Sequence, residues 1–470
     1  MRRTKIVATV GPATSLPESM RALLAAGADV VRLNAAHGTA DVHAQRATLA
    51  RATAAALGRA VGVLVDLPGP KMRTGPVVDD EISLETGREL TLTSAAIVGD
   101  AHHVSTTLPA LGQWVGPGDD IFLADGAIVL RVERVVDDDV LCEIVRGGVL
   151  RSRKGMHVPR AEAHVESFTE TDAAALKMAI AIKADFIGLS FVRRPEDVDA
   201  VRARLPKRGH RPMLVAKIET AVALDHLPGI VGSADAVMVA RGDLGIQVPA
   251  RRVPLIQKEI IRFCNMAGKP VITATQMLES MTRSPLPTRA EVNDVANAVL
   301  DGTDALMLSE ETAVGEYPAD TVRTMSDVAE AAEGWPRART TPQGAGAALD
   351  DDRVAWAVAH AAVQAAEDLG VAGIVCPTQS GTTARRVAAF RPAVPIAGIS
   401  ELPEILGRLC LVWGVQPLVA SPAEGDDGLR HAVKAARDCG MARKGELIAV
   451  VSASPGKRAG ATDTVRIVRA

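Results

Sequence analysis

A short apolar run, a polar or glycine tip and a helical stretch follow one another eight times along this chain. In the helical stretches the apolar residues recur every three or four positions, which is the period of an α-helix. Eight β-α units favour an α/β fold in which parallel strands close into a (β/α)8 barrel. The apolar runs are residues 5–10, 30–33, 61–65, 186–191, 214–218, 237–240, 271–274 and 305–308.

The positions at the ends of these runs are mostly charged or hydroxylic. Catalytic groups of (β/α)8 enzymes gather at the C-terminal ends of the strands. We therefore expect the chemistry of this chain at that face of the barrel, among Arg32, Asn34, Asp66, Ser190, Lys217, Glu219, Asp243, Thr275 and Ser309.

Residues 214–245 carry the strongest local signal. One apolar run ends in Lys217-Ile218-Glu219, so Lys217 and Glu219 share a face of a strand. The next run leads into Asp243, and we expect both carboxylates at the edge of adjacent strands, about 4.8 Å apart. Two carboxylates beside an ammonium suit a divalent cation and an anionic substrate. The alternative is a simple Lys217–Glu219 salt bridge with Asp243 as a helix cap.

Composition excludes several classes of protein. The chain has 470 residues, 47% of them hydrophobic, which is enough for two to four domains. A net charge of −3 argues against binding to nucleic acid or to a membrane surface. No apolar run reaches the length of a transmembrane span, and the N-terminal run is too short for a signal peptide. Five scattered cysteines indicate reduced thiols and a cytoplasmic protein.

Two intervals depart from the β-α rhythm. Between residues 75 and 159 the helical period gives way to short β-type runs and turn signals, which predicts a small β lid domain over the active face. After a linker at residues 334–346, a separate α/β domain follows. The predicted domains are a barrel of residues 1–74 and 160–335, a lid of residues 75–159 and a C-terminal domain of residues 350–470.

The chain resembles the pyruvate kinase family over nearly its full length. The specific motifs are MVARGDLG and ATQMLESM followed by PTRAEVNDVANAVLDG, and TKIVATVGPAT, VRLNAAHG, GPKMRTG, AKIE and LSEETAVGEYP agree with them. The resemblance implies a (β/α)8 barrel with an inserted small β-barrel lid and a C-terminal α/β domain. It also implies a glycolytic phosphotransferase that converts phosphoenolpyruvate and ADP to pyruvate and ATP with Mg²⁺ or Mn²⁺.

The resemblance also implies roles for individual residues. Glu219 and Asp243 would hold the divalent metal, Lys217 would stabilise the phosphoryl group in flight, and Arg32 and Arg73 would contact phosphates.

Further residues would complete the substrate and nucleotide sites. The backbone at Gly242-Asp243 would receive the substrate carboxylate, because helix N-termini favour anions. Thr275 would contact the substrate and help to deliver the proton, and Ser309 joins the catalytic set. The nucleotide side would be Asn34, His37, Arg73 and, from the lid, Lys154. Alternatively, His37 is a structural histidine and Ser190 and Ser309 are ordinary hydroxyls at strand ends.

One group of departures from the family concerns the monovalent cation. In potassium-dependent members an Asn, a Ser, an Asp and a Thr hold K⁺ near a Glu. This chain retains Asn34 and Asp66 but has Ala36 and Leu67 at the other two positions, and Lys71 at the position of the Glu. Two lost oxygen ligands weaken K⁺ binding, and the ammonium of Lys71, paired with Asp66, can supply the positive charge instead. We therefore expect activity without K⁺; the alternative is a degraded site with Lys71 in solvent.

The C-terminal domain carries a candidate effector loop. Its hydroxyls and amides follow a strand and open a helix, which predicts an anion cradle for a phosphorylated effector, as in many family members. The family also implies a homotetramer. The loop residues are Thr378, Ser380, Gly381, Thr382 and Thr383.

Two other classes of function remain to be weighed. One is a different enolate-forming barrel enzyme, such as a Mg²⁺-dependent aldolase or lyase, against which the lid and the C-terminal domain argue. The other is a non-catalytic sensor, against which the retained Arg32, Arg73, Lys217, Glu219, Asp243 and Thr275 argue.

Overall fold

The structure is a computed structural model of the chain. It describes residues 2–70, 72–124, 126–162, 166–335, 350–420, 425–454, 456 and 460–470. The predicted linker lies almost entirely outside the described residues, as does Lys71.

The chain begins with three strands and two helices of the barrel. Thr39 caps the second helix by accepting the backbone amide of Val42, which fixes where that helix starts. These elements are β1 (Lys5–Thr9), α1 (Pro17–Ala25), β2 (Val30–Asn34), α2 (Ala40–Ala56) and β3 (Gly62–Asp66).

An all-β segment follows the third barrel strand, at the place where the helical period disappears from the sequence. Its strands form a two-stranded sheet, β10-β4, and a six-stranded sheet, β11-β7-β8-β9-β5-β6, around a core of their own. The strands are β4 (Glu81–Leu84), β5 (Glu89–Thr93), β6 (His103–Ser105), β7 (Asp120–Leu123), β8 (Ile128–Val136), β9 (Asp139–Arg146), β10 (Gly148–Arg151) and β11 (Met156–His157).

The remaining five barrel strands alternate with helices. They are α3 (Pro159–Glu162), α4 (Glu170–Ala181), β12 (Phe186–Leu189), α5 (Pro195–Arg202), β13 (Met213–Ile218), α6 (Ala221–Asp225), α7 (Leu227–Ser233), β14 (Ala236–Ala240), α8 (Arg241–Gln247), α9 (Val253–Ala267), β15 (Val271–Ala274), α10 (Arg289–Asp301), β16 (Ala305–Leu308), α11 (Glu310–Ala313) and α12 (Pro318–Glu333).

The eight parallel strands close in the order β1-β16-β15-β14-β13-β12-β3-β2. Strands such as β1, β3 and β14 are buried along their whole length, as expected where helices cover the outside and side chains fill the inside. The predicted fold class is confirmed. Because all strands run the same way, β3, β12, β13 and β14 present their last residues at one face.

The C-terminal part is an α/β layer with a five-stranded sheet in the order β19-β18-β17-β20-β21. Strand β19 and helix α16 were not predicted from the sequence. The elements are α13 (Asp350–Asp368), β17 (Ile374–Pro377), α14 (Thr382–Ala389), β18 (Ile396–Ser400), α15 (Pro403–Leu409), β19 (Val415–Val419), α16 (Gly425–Asp438), β20 (Leu447–Ser452) and β21 (Thr464–Arg469).

This C-terminal layer packs against the N-terminal end of the barrel. Cys410 and Leu411 belong to the same buried cluster as the inward-facing barrel residues Phe186 and Met213. At the start of β1, Lys5 donates a 2.7 Å hydrogen bond to a carbonyl of the C-terminal layer. The opposite face, where the strands end, is thereby left for the site. Among the described residues, no helix is both long and apolar enough to cross a membrane.

Candidate active site

Lys217 is the centre of the site. It lies near the end of β13, and its side chain is 11% exposed. Its ammonium donates to Ser190 Oγ at 2.7 Å and lies 3.3 Å from Glu219 Oε2 and 3.4 Å from Asp66 Oδ1. Burial would lower the pKa of Lys217, but the carboxylates of Asp66, Glu219 and Asp243 outweigh burial and raise it. Lys217 is therefore a fixed positive charge.

Glu219 follows β13 directly and is 2% exposed. Its Oε1 accepts the backbone amide of Phe191 at 2.5 Å, and its Oε2 faces Lys217. Burial raises the pKa of Glu219 to about 7, and Asp243 adds to the rise, while Lys217 opposes it. The contribution of Asp243 to this rise agrees with the expectation that the two carboxylates lie near each other, and their spacing stays a prediction.

Asp243 lies in the first turn of α8, one strand further round the barrel. The N-cap residue of this helix is Ala240, so Asp243 is not the helix cap that the alternative interpretation required. The Lys217–Glu219 ion pair of that interpretation is present. This ion pair does not prevent Glu219 from binding a metal. With one cation and one amide as partners, the carboxylate of Glu219 keeps lone pairs for another ligand.

Gly242 and Thr275 meet at the next strand end. The backbone amide of Gly242 donates to Thr275 Oγ1 at 2.8 Å. Thr275 has a φ of 68°, which a β-branched residue rarely adopts, and Gln276 follows with a φ of 54°. The hydroxyl of Thr275 accepts in this contact, which leaves its own proton available for a substrate.

Arg241 holds this left-handed turn, and the sequence reasoning missed it. The guanidinium is 8% exposed and donates to the carbonyl oxygens of Thr275 and Gln276. It also pairs with Asp294 at 2.6 Å. The available signal was an arginine inside MVARGDLG, at the point where a buried strand becomes a helix.

Arg32 is fixed by two neighbouring strands. It donates twice to Asp66 Oδ2, at 2.9 and 2.7 Å, and once to Thr9 Oγ1 at 3.0 Å. Asp66 also reaches Lys217 across β12, where Gly188 leaves room for it: a Cβ on Gly188 would lie only 2.8 Å from Asp66 Oδ1. Asp66 thus contacts both predicted substrate cations, Arg32 and Lys217.

The residues fit a divalent metal that is completed by substrate. Within the described ranges, no group of three or more His, Cys, Asp or Glu side chains is arranged to hold a metal ion. Mg²⁺, however, is commonly bound through one or two carboxylates with substrate phosphates and water as the other ligands. Glu219 and Asp243 provide such a pair.

The predicted nucleotide contacts lie in two separate places. Asn34 ends β2 and His37 is exposed three residues later, where its carbonyl oxygen accepts the ring of His43 at 2.8 Å. Arg73 and Lys154 lie at the base of the inserted sheets: Arg73 bridges to Gly155.

Ser309 is placed at the end of β16, as predicted. Its backbone amide donates to Glu311 Oε2 at 2.6 Å, and the buried Glu311 also accepts the amide of Leu278 at 3.3 Å. Glu311 therefore ties the turn that contains Ser309 to the loop that follows Thr275. The side chain of Ser309 makes no cap hydrogen bond to α11.

The oxygens at the monovalent-cation position are engaged by donors of the protein. Asn34 Oδ1 accepts the amide of Ala36 at 3.1 Å, and the carbonyl of Leu67 accepts Ser190 Oγ at 2.7 Å. Asp66 accepts Arg32. The position of Lys71 lies outside the described residues, so its predicted pairing with Asp66 stays a prediction.

The predicted effector residues lie together between β17 and α14. Thr378 Oγ1 accepts the amide of Gly381, which has a φ of 79°, at 2.8 Å. Ser380 donates to Thr382 at 3.0 Å, and Thr383 shares a 2.7 Å hydrogen bond with Thr462 of a second loop. These hydroxyls lie in one loop, far along the chain from the barrel site, and make three separate hydrogen bonds.

Comparison with known proteins agrees with this architecture. Residues 1–322 match the family described as "Pyruvate kinase, barrel domain", and residues 356–468 match "Pyruvate kinase, alpha/beta domain". A Thermotoga maritima protein named "Pyruvate kinase" is 39% identical over 470 residues, covering 100% of both chains. A "Pyruvate kinase" of Mycobacterium tuberculosis is 39% identical over 473 residues, covering 100% of this chain and 98% of that protein. The chain is a phosphotransferase that belongs to the pyruvate kinase family.

Proposed function

We propose that this phosphotransferase moves the phosphoryl group of phosphoenolpyruvate to ADP, giving pyruvate and ATP in glycolysis. One observation carries the assignment of the site: the Lys217 ammonium lies 3.3 Å from Glu219 and 3.4 Å from Asp66 at the C-terminal face of the barrel. Phosphoryl transfer needs positioning and neutralisation of spread negative charge. A buried ammonium with a raised pKa suits that task.

The groups around Lys217 would bind the phosphate and the carboxylate of the substrate and supply the proton. Arg32 offers a planar guanidinium that Asp66 already orients, so little conformational entropy is lost when it binds a phosphate. Thr275 retains a proton next to the place where the enolate must be protonated. The amide of Gly242, now bonded to Thr275, would receive the substrate carboxylate when that contact is exchanged.

Glu219 and Asp243 would hold Mg²⁺ or Mn²⁺ in this proposal. The ion would supply positive charge to the phosphate oxygens of the bound substrates. The buried Glu219 keeps its Oε1 oriented by the amide of Phe191, so the carboxylate is held in place before the ion arrives.

ADP would bind between Asn34 and His37 on the barrel and Arg73 and Lys154 at the base of the inserted sheets. These two groups are separate here, so the proposal includes a movement of the lid that brings them to one nucleotide. Arg73 and Lys154 would attract the phosphates of the nucleotide, and backbone hydrogen bonds to Thr107 and Thr74 fix where the two residues leave the inserted sheets.

We infer further that turnover does not require K⁺. The oxygens of Asn34 and Leu67 already accept donors of the protein, and Leu67 and Ala36 offer no side-chain oxygen. A hard cation at this place would therefore find few protein oxygens and would have to keep much of its water.

A coupled assay for pyruvate tests the proposed reaction. Purified protein is supplied with phosphoenolpyruvate and ADP, with and without Mg²⁺, Mn²⁺ and K⁺. Pyruvate formation that requires ADP and a divalent ion, and that persists without K⁺, is expected. Pyruvate formation without ADP would indicate a lyase or another enolate-forming enzyme, and no turnover under any condition would indicate a sensor.

Regulation and assembly form a second part of the proposal. The hydroxyls of Thr378, Ser380, Thr382 and Thr383, which lie in one loop, would bind a phosphorylated effector. A homotetramer in the cytoplasm is proposed on family membership. A screen of sugar phosphates and nucleotides against the phosphoenolpyruvate saturation curve tests the effector, and light scattering tests the tetramer; flat curves and a monomeric mass would contradict them.

A further inference from the structure

The hydroxyl of Ser190 connects two strand ends of the site. It donates to the carbonyl oxygen of Leu67 at 2.7 Å and accepts a proton of Lys217 Nζ at 2.7 Å. Both directions are determined by chemistry, because a carbonyl has no proton to donate and an ammonium has no lone pair with which to accept. The single proton of Ser190 is therefore committed to Leu67, and a lone pair faces Lys217.

Ser190 is the nearest of the three acceptors around Lys217. The carboxylates of Glu219 and Asp66 are further away, at 3.3 and 3.4 Å. Carboxylates attract the ammonium strongly and would draw it toward themselves in a site of low dielectric. A neutral acceptor at hydrogen-bonding distance opposes that displacement without adding negative charge beside the phosphate.

The backbone around Ser190 leaves it little freedom. Ser190 is 6% exposed, and a Cβ on Gly69 would lie 2.6 Å from the Ser190 Cβ, so the loop after β3 packs directly against it. The next residue, Phe191, has a φ of 54° and donates its amide to Glu219. One short segment thus orients both Lys217 and Glu219.

We propose that Ser190 is a positioning residue that holds the Lys217 ammonium where the transferred phosphoryl group passes. The inference rests on the proposed function, in which Lys217 acts on that group. It assigns Ser190 a role that an ordinary strand-end hydroxyl would not have: its loss should affect the chemical step more than the binding of either substrate.

The test compares Ser190→Ala with a matched control, Thr303→Val. Thr303 is a fully buried barrel hydroxyl at the opposite end, where its one proton lies within reach of the carbonyl oxygens of Val271 and Ala305 and its oxygen accepts the hydroxyl of Thr273. For Ser190→Ala we expect kcat to fall about 10- to 100-fold, because small displacements of a reacting group have effects of that size. The KM values for phosphoenolpyruvate and ADP should stay within about 2-fold of wild type.

Three outcomes would overturn the inference. They are a kcat within about 2-fold of wild type, an equal fall of kcat in Thr303→Val, and a rise of KM that accounts for the whole loss. A crystal structure of Ser190→Ala gives a readout that needs no activity: Nζ of Lys217 should move closer to Glu219 or Asp66, and an unmoved Nζ would contradict the role. If the wild type makes no pyruvate, the proposed function fails while this structural test still decides the inference.

Discussion

The backbone amide of Gly242 and the hydroxyl of Thr275 form a 2.8 Å hydrogen bond that joins two strand ends of the barrel. Thr275 stays in the left-handed region although its side chain is β-branched, a conformation that persists only where the surroundings impose it. Arg241 imposes it here by donating to the carbonyl oxygens of Thr275 and Gln276. The buried guanidinium of Arg241 therefore holds the turn at Thr275 in its left-handed conformation.

The first prediction is that Arg241→Lys lowers kcat about 10- to 100-fold. Lysine keeps a charge for Asp294 but cannot reach several carbonyl oxygens in one plane, so the turn at Thr275 relaxes. Steady-state kinetics measures the change. Asp294→Asn is the control, since it weakens the ion pair while leaving the contacts from Arg241 to Thr275 in place. Equal activity of Arg241→Lys and wild type would contradict the clamp.

The second prediction concerns the charged centre. Lys217→Ala, Glu219→Gln and Asp243→Asn should each lower kcat about 10²- to 10³-fold, the usual cost of one well-placed electrostatic group. Glu219→Gln and Asp243→Asn should in addition weaken Mn²⁺ binding in a calorimetric titration, whereas Lys217→Ala should not. Glu196→Gln, an exposed carboxylate on α5, serves as the control. Near-full activity of Asp243→Asn with Mg²⁺ would refute its role as a metal ligand.

The sequence predicts those site residues whose own side chains lie at the end of a strand. It does not predict residues that act through contacts within the folded loops. Lys217, Glu219 and Asp243 follow apolar runs, so the period of the barrel placed them at one face. Arg241 and the amide of Phe191 act through internal hydrogen bonds that only the folded loops create. No periodicity in the sequence records such contacts.

The inserted sheets show the same limit for the fold. The long strand β8 alternates buried and exposed residues and was predicted, whereas β11 has two residues and pairs only through the folded domain. Helix α16 carries many charged residues, yet its apolar residues recur on one face, so the pattern was present in the sequence and was overlooked. Short elements such as β11 acquire their structure from tertiary contacts, which a local pattern does not contain.

The third prediction concerns pH and Asp185, at the N-terminal end of the barrel. Burial raises the pKa of Asp185 to about 6, although Arg51 and the amide of Val63 act in the opposite direction. An unfolded aspartate ionises near pH 3.9. Between about pH 4 and 6 the folded chain therefore binds more protons than the unfolded chain, so rising pH lowers the free energy of unfolding across that window.

Asp185→Asn removes this titration. Its free energy of unfolding relative to wild type should rise between about pH 4 and 6, by a total of about 3 kcal/mol for a pKa difference of this size, and then stay level; the difference between the two thermal midpoints should follow it. Calorimetric scans of both proteins over this range measure it. A difference between the two midpoints that does not change with pH would show that the carboxyl of Asp185 titrates normally.

The last prediction is that turnover persists in potassium-free buffer and that Lys71→Glu makes it depend on K⁺. In the wild type, Asn34 Oδ1 and the carbonyl of Leu67 already accept donors of the protein, and Asp66 accepts Arg32. A covalent ammonium at position 71 can neutralise phosphate in place of a bound cation. Lys71→Glu replaces that charge with a carboxylate, which attracts K⁺ to a site that still has few oxygen ligands. Turnover of both proteins is measured in tetramethylammonium and in potassium buffers, and Lys71→Met is the control for loss of the charge alone. Strong activation of the wild type by K⁺ would show that Lys71 does not replace the ion.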